Sequence, residues 1–417
     1  MPMRVSLLTL GCKVNQAETS LMEGILRGSG FKVVGLDEKP ELCIINTCTV
    51  TSKSDYQSRQ LIRRAYKVGA KVIVTGCYSE LNMENVKNMP EVKEVVLNKD
   101  KFNYISMLIG NNGSITLNYS GARTRFFLKV QDGCNSCCSY CVIPKARGSS
   151  RSVEMDKVIG EVKRAVCFGY KEIVLTGIHL GVYGEDLKPK INLSGLIESI
   201  LNETTIERLR LSSIEITEID DNLIRLFLQK DKRLCRHLHI PLQSGDNRIL
   251  SLMNRDYTIE YYQARLRHIS SYLPDSAFGT DIIVGFPGEG NEEFMNTIRV
   301  SENLPFSYIH VFPFSLRKGT KACEMPDIIT DLEKKNRCTQ LRGLSERKKQ
   351  DYMLGHIGKT LDVLIEKRYA DGFSRGTTSN YLKVEVSSVT LKRGSVVPVR
   401  VTGAGKGVLL GNPLNCS

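Results

Sequence analysis

The chain has 417 residues, 41% hydrophobic and 25% charged, which predicts a globular protein of two to three domains with ample material for its cores. Thirteen cysteines, an odd number, are too sparse for a disulfide scaffold and point to metal or redox chemistry in the reducing cytosol. No apolar run approaches the ~20 residues of a membrane span, while a net charge of +13 admits either a solvated basic surface or an anionic polymer as partner.

Residues 1 to 118 alternate strand and helix. "VSLLTL" (5–10) is a buried-strand run, and "AETSLMEGILRGSG" (17–30) reads as a helix ended by glycine. "LCIINT" (42–47) is a second strand, "SDYQSRQLIRRAYKVGA" (54–70) a second helix and "KVIVTG" (71–76) a third strand. This order predicts an open parallel α/β sheet whose ligands sit beyond the strands' carboxyl ends. Cys12, Cys48 and Cys77 each follow one of these strands and are placed to converge at one sheet edge. Cys43, inside a strand, reads as a small buried hydrophobe.

A second alternation occupies residues 123 to about 330. "RFFLKV" (125–130) is a strand, "KVIGEVKRAVCFGY" (157–170) a helix and "KEIVLTG" (171–177) a strand. Further strands are expected at 208–215, 237–243, 278–285 and 308–315, with helix-like stretches between them. Six parallel strands predict a partial (βα)6 barrel with its chemistry at the strand carboxyl ends. A basic helix (331–353) follows. Residues 354–417 are β-rich with glycines at turns and predict a small β-barrel; from 355 onward nine basic residues stand against four acidic ones. Such a barrel is either an RNA-binding appendage or simply well solvated.

"QDGCNSCCSYCVIPKARG" (131–148) holds four cysteines in eight positions: Cys134, Cys137, Cys138 and Cys141. Their thiolates repel one another unless a cation neutralises them. A four-cysteine zinc site is strained, because Cys137 and Cys138 are adjacent and point apart, and the second CxxC pair of a zinc knot is missing. Three cysteines holding an iron–sulfur cluster with one open iron fit better. Both Cys134–Cys138–Cys141 and Cys134–Cys137–Cys141 satisfy the spacing. The first, with Tyr140 before the last cysteine, resembles the pattern of radical S-adenosylmethionine (SAM) enzymes, where the cofactor's amino and carboxylate groups chelate the open iron. A fourth thiolate there would block the cofactor.

The whole chain resembles one branch of those enzymes. "TLGCKVNQAET", "NTCTV", "TGCYSE" and the cysteine cluster occur in order, followed by "LTGIHLGVYGED", "RLSSIEITEI", "HIPLQSGDNRILSLMNRDYT" and "TDIIVGFPGE". This set is similar to the tRNA methylthiotransferase family. The resemblance implies an amino-terminal methylthiotransferase domain (1–118), a radical SAM domain with a trailing basic helix (123–353) and a carboxyl-terminal TRAM-like barrel (354–417). It implies two [4Fe-4S] clusters, an auxiliary one on Cys12, Cys48 and Cys77 and a radical-generating one on Cys134, Cys138 and Cys141. SAM would serve as methyl donor and as radical source. "GCKVN" is similar to the branch acting on N6-threonylcarbamoyladenosine at position 37, beside the anticodon; the isopentenyladenosine and ribosomal-protein branches tend to carry "GCQMN" and "GCPKN". The implied partners are a tRNA anticodon stem-loop and an electron donor such as flavodoxin or ferredoxin, with the enzyme a cytoplasmic monomer.

Polar residues at successive strand ends are the candidates for SAM: Thr176 and Gly177 for the ammonium, Ser213 and Glu215 for ribose or ammonium, Gln243, Ser244 and Arg255 for ribose and carboxylate, and backbone near Val284 for adenine. Arg347, Lys348 and Lys349 on the basic helix, with Phe373, Arg375 and Asn380 in the barrel, are candidates for RNA through phosphate contacts and stacking. His237 and His239 share one strand face, as suits a core pair or a site, and His179 falls near the expected pocket. Two further readings stand beside this one: a radical enzyme with a relay cluster acting on a metabolite or protein, and a zinc-stabilised RNA-binding protein.

Overall fold

The apolar runs of the first hundred residues form a five-stranded parallel sheet. The structure is a computed structural model, and it describes residues 2–110, 117–119, 123–229, 231–326, 329–369, 372–388 and 390–414. β1 (Arg4–Thr9), β2 (Lys32–Val33), β3 (Leu42–Thr47), β4 (Lys71–Gly76) and β5 (Glu94–Val95) lie in the order β2-β1-β3-β4-β5. All six residues of β3 are buried, as befits a strand covered on both faces. α1 (Lys13–Gly28) and α5 (Lys101–Leu108) cover one face, where Met22, Leu26 and Ile105 meet Val5, Ile44 and Ile73. α2 (Ser52–Lys67) covers the other, packing Ile62 and Ala65 on Cys43, Ile45 and Val74. Cys43 is thus core, as its position inside a strand implies. Two short helices, α3 (Cys77–Leu81) and α4 (Met83–Lys87), connect β4 to β5.

The central region is the partial barrel expected from the sequence. β6 (Arg125–Lys129), β9 (Glu172–Thr176) and β10 (Arg208–Leu211) form one parallel sheet; β11 (His237–His239), β12 (Ala277–Val284) and β13 (Tyr308–Pro313) form another. Single bridges, Leu209 to Leu234 and Ser213 to His239, join them, so six strands follow one another in chain order. β10 and β11 are shorter than the sequence suggests because pairing at this seam reduces to those bridges. A small hairpin, β7 (Gln131–Asp132) with β8 (Arg151–Ser152), encloses the cysteine loop and α6 (Ile143–Arg147). The outer layer comprises α7 (Met155–Cys167), α8 (Leu193–Glu203), α9 (Asp221–Leu228), α10 (Asn247–Leu252), α11 (Ile259–Tyr272) and α12 (Asn291–Asn303). The basic α13 (Asp331–Leu354) lies against β13.

β14 (Thr360–Arg368), β15 (Phe373–Thr378), β16 (Lys383–Ser387), β17 (Val396–Gly405) and β18 (Val408–Pro413) close a barrel in the order β14-β15-β16-β18-β17. Closure leaves no free edge, which suits a unit this small. In β15, "FSRGTT" lacks the alternating apolar pattern and is a strand because β14 and β16 flank it. The turn after β15 plugs the central barrel. Arg208 and Arg210 donate to the carbonyls of Thr377, Thr378 and Ser379 at 2.8 to 3.1 Å, and both guanidinium groups also pair with buried Glu172. Among the described residues no helix is long and apolar enough to cross a membrane.

Candidate active site between two cysteine triplets

Parallel pairing in the order β1-β3-β4 sets three carboxyl ends side by side, and a cysteine follows each end. Two glycines let the backbones come this close. Gly11 has φ +98° and its absent Cβ would lie 2.7 Å from Cys48 Sγ; Gly76 has φ +101° and its Cβ would lie 2.4 Å from the backbone of Thr47. Cys48 and Cys77 are buried and Cys12 is exposed. Burial pushes the Cys48 thiol up to about 11, and its neighbours Cys12 and Cys77 add to the rise. Burial likewise raises Cys77, against the pull of Arg147. Three sulfur donors gathered at adjacent strand ends, two of them buried, are a donor set completed by a cationic centre, so the residues present fit an iron–sulfur cluster.

The second triplet lies in the loop between β7 and α6. Cys134, Cys138 and Cys141 line one cavity of about 230 Å³ together with Tyr140, His179, Ser213, Glu215, Gln243, Arg255 and Asp281. Cys137 is exposed, does not line the cavity, and has its Sγ 3.8 Å from the Asn135 carbonyl. Gly133 sets the entry: φ is +72°, and a Cβ would lie 2.0 Å from the Ser149 carbonyl oxygen. Burial pushes the Cys141 thiol up to about 12, with Cys138 and Cys134 contributing. Cys134 Sγ lies 3.4 Å from His179 Nδ1, and Arg255 Nη1 donates to Cys138 Sγ at 3.4 Å. A cluster held by three thiolates fits here too, with a polar cavity beside it for a ligand on the fourth position. Glu215 and Arg255, paired on the cavity wall, offer opposite charges to a zwitterionic group such as the amino and carboxylate ends of SAM.

The sheet edge that carries Cys12, Cys48 and Cys77 packs against the barrel mouth. A second cavity of about 210 Å³ runs from Val50 and Thr51, just after Cys48, to Tyr140, Cys141, Gln243, Asp281 and Phe314. Ion pairs and hydrogen bonds hold this junction: Arg317 to Asp55 at 2.6 Å and Ser52 N to Ser315 Oγ at 3.0 Å. Asp281 belongs to both cavities. His239 Nε2 and His310 Nδ1 lie 2.9 and 3.1 Å from its Oδ1, and Tyr308 OH lies within 3.1 Å of both His239 and His237. Burial alone would push the Asp281 carboxyl up; the two histidines outweigh it and hold the group ionised.

Several of the expected ligand contacts sit elsewhere. Thr176 is buried and donates to the Leu128 carbonyl at 3.1 Å. Gly177 has no room for a Cβ beside Gln131 and stands just outside the cavity, next to Ile178 and His179. Ser244 is buried behind the wall, 3.4 Å from Thr297 Oγ1. Val284 is a core side chain, and its carbonyl accepts from Phe314 N. Period-2 alternation explains Val284, which follows the cavity-lining Ile283 on β12 and so points to the opposite face.

Among the residues expected to meet RNA, Arg347 and Phe373 are exposed, and Lys349 lines a cavity between α13 and the small barrel. Arg375 is exposed but paired with Glu385 across β15 and β16. Lys348 is committed to the Glu302 and Leu304 carbonyls at 2.8 Å, closing the end of α12. Asn380 is buried, bonded to Tyr352, His356 and Thr378, and lines the same cavity as Lys349. Sequence reading alone misses Asp281, which follows a threonine in an apolar strand. It also misses Asn15, Glu18 and Arg147, which come together from distant segments.

Residues 4–98 match the uncharacterized protein family UPF0004, and residues 128–300 match the radical SAM superfamily. A relative from Bacillus subtilis (strain 168), named threonylcarbamoyladenosine tRNA methylthiotransferase MtaB, is 37% identical over 96% of this chain and 94% of its own. The protein of that name from Aquifex aeolicus (strain VF5) is 38% identical over 92% of this chain and 96% of its own. A solved radical SAM methyltransferase, TsrM from Kitasatospora setae, superposes with a TM-score of 0.56 at 15% identity over 78% of this chain and 77% of its own, a likeness of fold alone. Full-length similarity to the two named relatives, laid over a fold that packs a sheet edge carrying one cysteine triplet against a barrel mouth carrying another, places the chain in the MtaB-like tRNA methylthiotransferase family of radical SAM enzymes.

Proposed function

We propose that this enzyme converts N6-threonylcarbamoyladenosine at position 37 of tRNA to its 2-methylthio form. The observation that carries the reading is the pair of triplets on packed elements, Cys12, Cys48 and Cys77 on the sheet edge and Cys134, Cys138 and Cys141 at the barrel mouth, with a cavity that runs from the residues just after Cys48 to Cys141. Two [4Fe-4S] clusters and SAM, when bound there, supply the radical and the methylthio group that adenine C2, having no acidic proton, needs.

The chain's own residues define the rest. Glu215 and Arg255 bind and orient the zwitterionic end of SAM, and Ser213 and Gln243 line the same wall. Tyr140, packed edge-on against Phe286 at 6.4 Å, shields the cavity floor from water. Asp281, kept ionised by its histidines, presents an acceptor to the base at the point where both cavities meet. The exposed Arg347 and Phe373 and the basic face of the small barrel receive the tRNA backbone, a contact strongly weakened by salt. A one-electron donor of the flavodoxin or ferredoxin type, a monomeric state and a reducing cytoplasm complete the reading.

Mass spectrometry of tRNA nucleosides from cells with and without the gene tests it. Loss of the 2-methylthio-threonylcarbamoyl nucleoside on deletion, restored by the gene, is the expected result. A missing 2-methylthio-isopentenyl nucleoside instead, or tRNA left unchanged, overturns the assignment.

A further inference from the structure

We propose that Arg147 is a positioning residue for the auxiliary site: its guanidinium donates to the Cys77 sulfur and sets the reduction potential of a cluster bound there, while its own helix fixes that site relative to the radical site. This rests on Cys12, Cys48 and Cys77 holding a cluster.

Arg147 ends α6, which begins two residues after Cys141, yet its side chain crosses the junction and lies 5% exposed among residues of the amino-terminal sheet. Nε donates to Cys77 Sγ at 3.3 Å. Nη1 donates to Glu18 Oε1 and Asp132 Oδ1, both at 2.9 Å, and Nη2 to Asn15 Oδ1 and to Glu18 Oε2 at 3.2 Å. Every N–H of the fork therefore has an acceptor, which a lysine's three donors on a flexible stem cannot reproduce. Glu18, itself 2% exposed, also accepts from Lys101 at 2.7 Å and Lys129 at 2.8 Å. Two carboxylates against three cations leave one positive charge over, and the group that touches the cysteine is the guanidinium. An N–H donor and a surplus positive charge at a ligating sulfur favour the reduced, more negative state of a cluster and raise its potential.

The full-length chain carrying Cys134→Ala, Cys138→Ala and Cys141→Ala isolates the auxiliary cluster, which dithionite reduces by one electron. In this protein labelled with ¹⁵N-arginine, pulsed electron paramagnetic resonance of the reduced cluster is expected to show a ¹⁵N coupling, and Arg147→Lys is expected to abolish it. In a potential titration, Arg147→Lys and Arg147→Gln should lower the reduced-to-oxidised ratio at least tenfold at a fixed ambient potential, equivalent to about 59 mV for one electron. A cluster present without the ¹⁵N coupling, or a potential unmoved by Arg147→Lys, overturns the proposal even though the cluster reading survives. A triple variant that binds no iron at all overturns the cluster reading and the proposal with it. The labelled parent protein decides the matter should the Arg147 variants fail to fold.

Discussion

Cys137 and Cys138 are neighbours in sequence and opposites in space. Cys138 faces the cavity and receives a hydrogen bond from Arg255, while Cys137 is exposed and its carbonyl is held by Asn254 Nδ2 at 3.1 Å. Cys137→Ala is therefore expected to leave the iron content at about eight per chain, whereas Cys138→Ala lowers it to about four, as read by iron analysis and visible absorption. The reverse pattern would assign the site to the other triplet. Spacing alone allows both triplets, because it does not report which way a loop residue points. Resemblance favours one, and the loop geometry gives a physical reason for it: Gly133 and Asn254 anchor the loop so that position 137 turns outward. Arg147 and Asp281 are invisible in the sequence for a related reason. Each has its role through partners dozens of residues away, and nothing local marks it.

Among the elements, three of the five strands of the amino-terminal sheet are legible almost to the residue, whereas the two-residue β2 and β5 are too short to show a pattern. β3 and β4 coincide with the runs "LCIINT" and "KVIVTG", since a strand buried on both faces must be apolar throughout. β15 is not legible, because closing a barrel can recruit a polar segment whose hydrogen bonds its neighbours satisfy. The sheet edge depends on Gly76 more than on any side chain. With φ at +101° and the Thr47 backbone 2.4 Å from where a Cβ would stand, Gly76→Ala must displace either β3 or Cys77. A cost of about 1–3 kcal/mol is expected, seen as a lower melting temperature, together with loss of about half the iron while the site in the Cys134 loop keeps its own. Full iron retention in that variant would show that the three strand ends tolerate separation.

The whole molecule is tied together by buried charge as much as by apolar packing. Glu172 lies inside the central barrel between Arg208 and Arg210, which in turn hold the turn of the carboxyl-terminal barrel. Burial works against the Glu172 carboxylate, but the two arginines outweigh it and hold its pKa below the ordinary 4.5. A depressed carboxyl pKa contributes stability that is complete above about 4.5 and lost as pH falls through the folded-state value. Glu172→Gln leaves two buried guanidinium groups short of a counter-charge, so a loss of about 3–5 kcal/mol at neutral pH is expected. Its melting temperature should then fall less steeply than the wild type's on acidification below about pH 4.5. Parallel curves for the two proteins would remove Glu172 from the account. The small barrel is thus part of the central architecture.

Periodicity and position after a strand are local properties of the chain, and they are enough to reveal the parallel sheet, the βα order of the central barrel and the seven clustered or strand-end cysteines from which the two sites are drawn. Folding in three dimensions sets which cavity Cys134, Cys138 and Cys141 share, which polar strand-end residues face it, that Arg147 reaches Cys77 and Glu18, and that Asp281 lines both cavities. Those facts depend on the packing of one sheet edge against one barrel mouth, where contacts join residues more than a hundred positions apart and carry no signature in any short stretch of sequence.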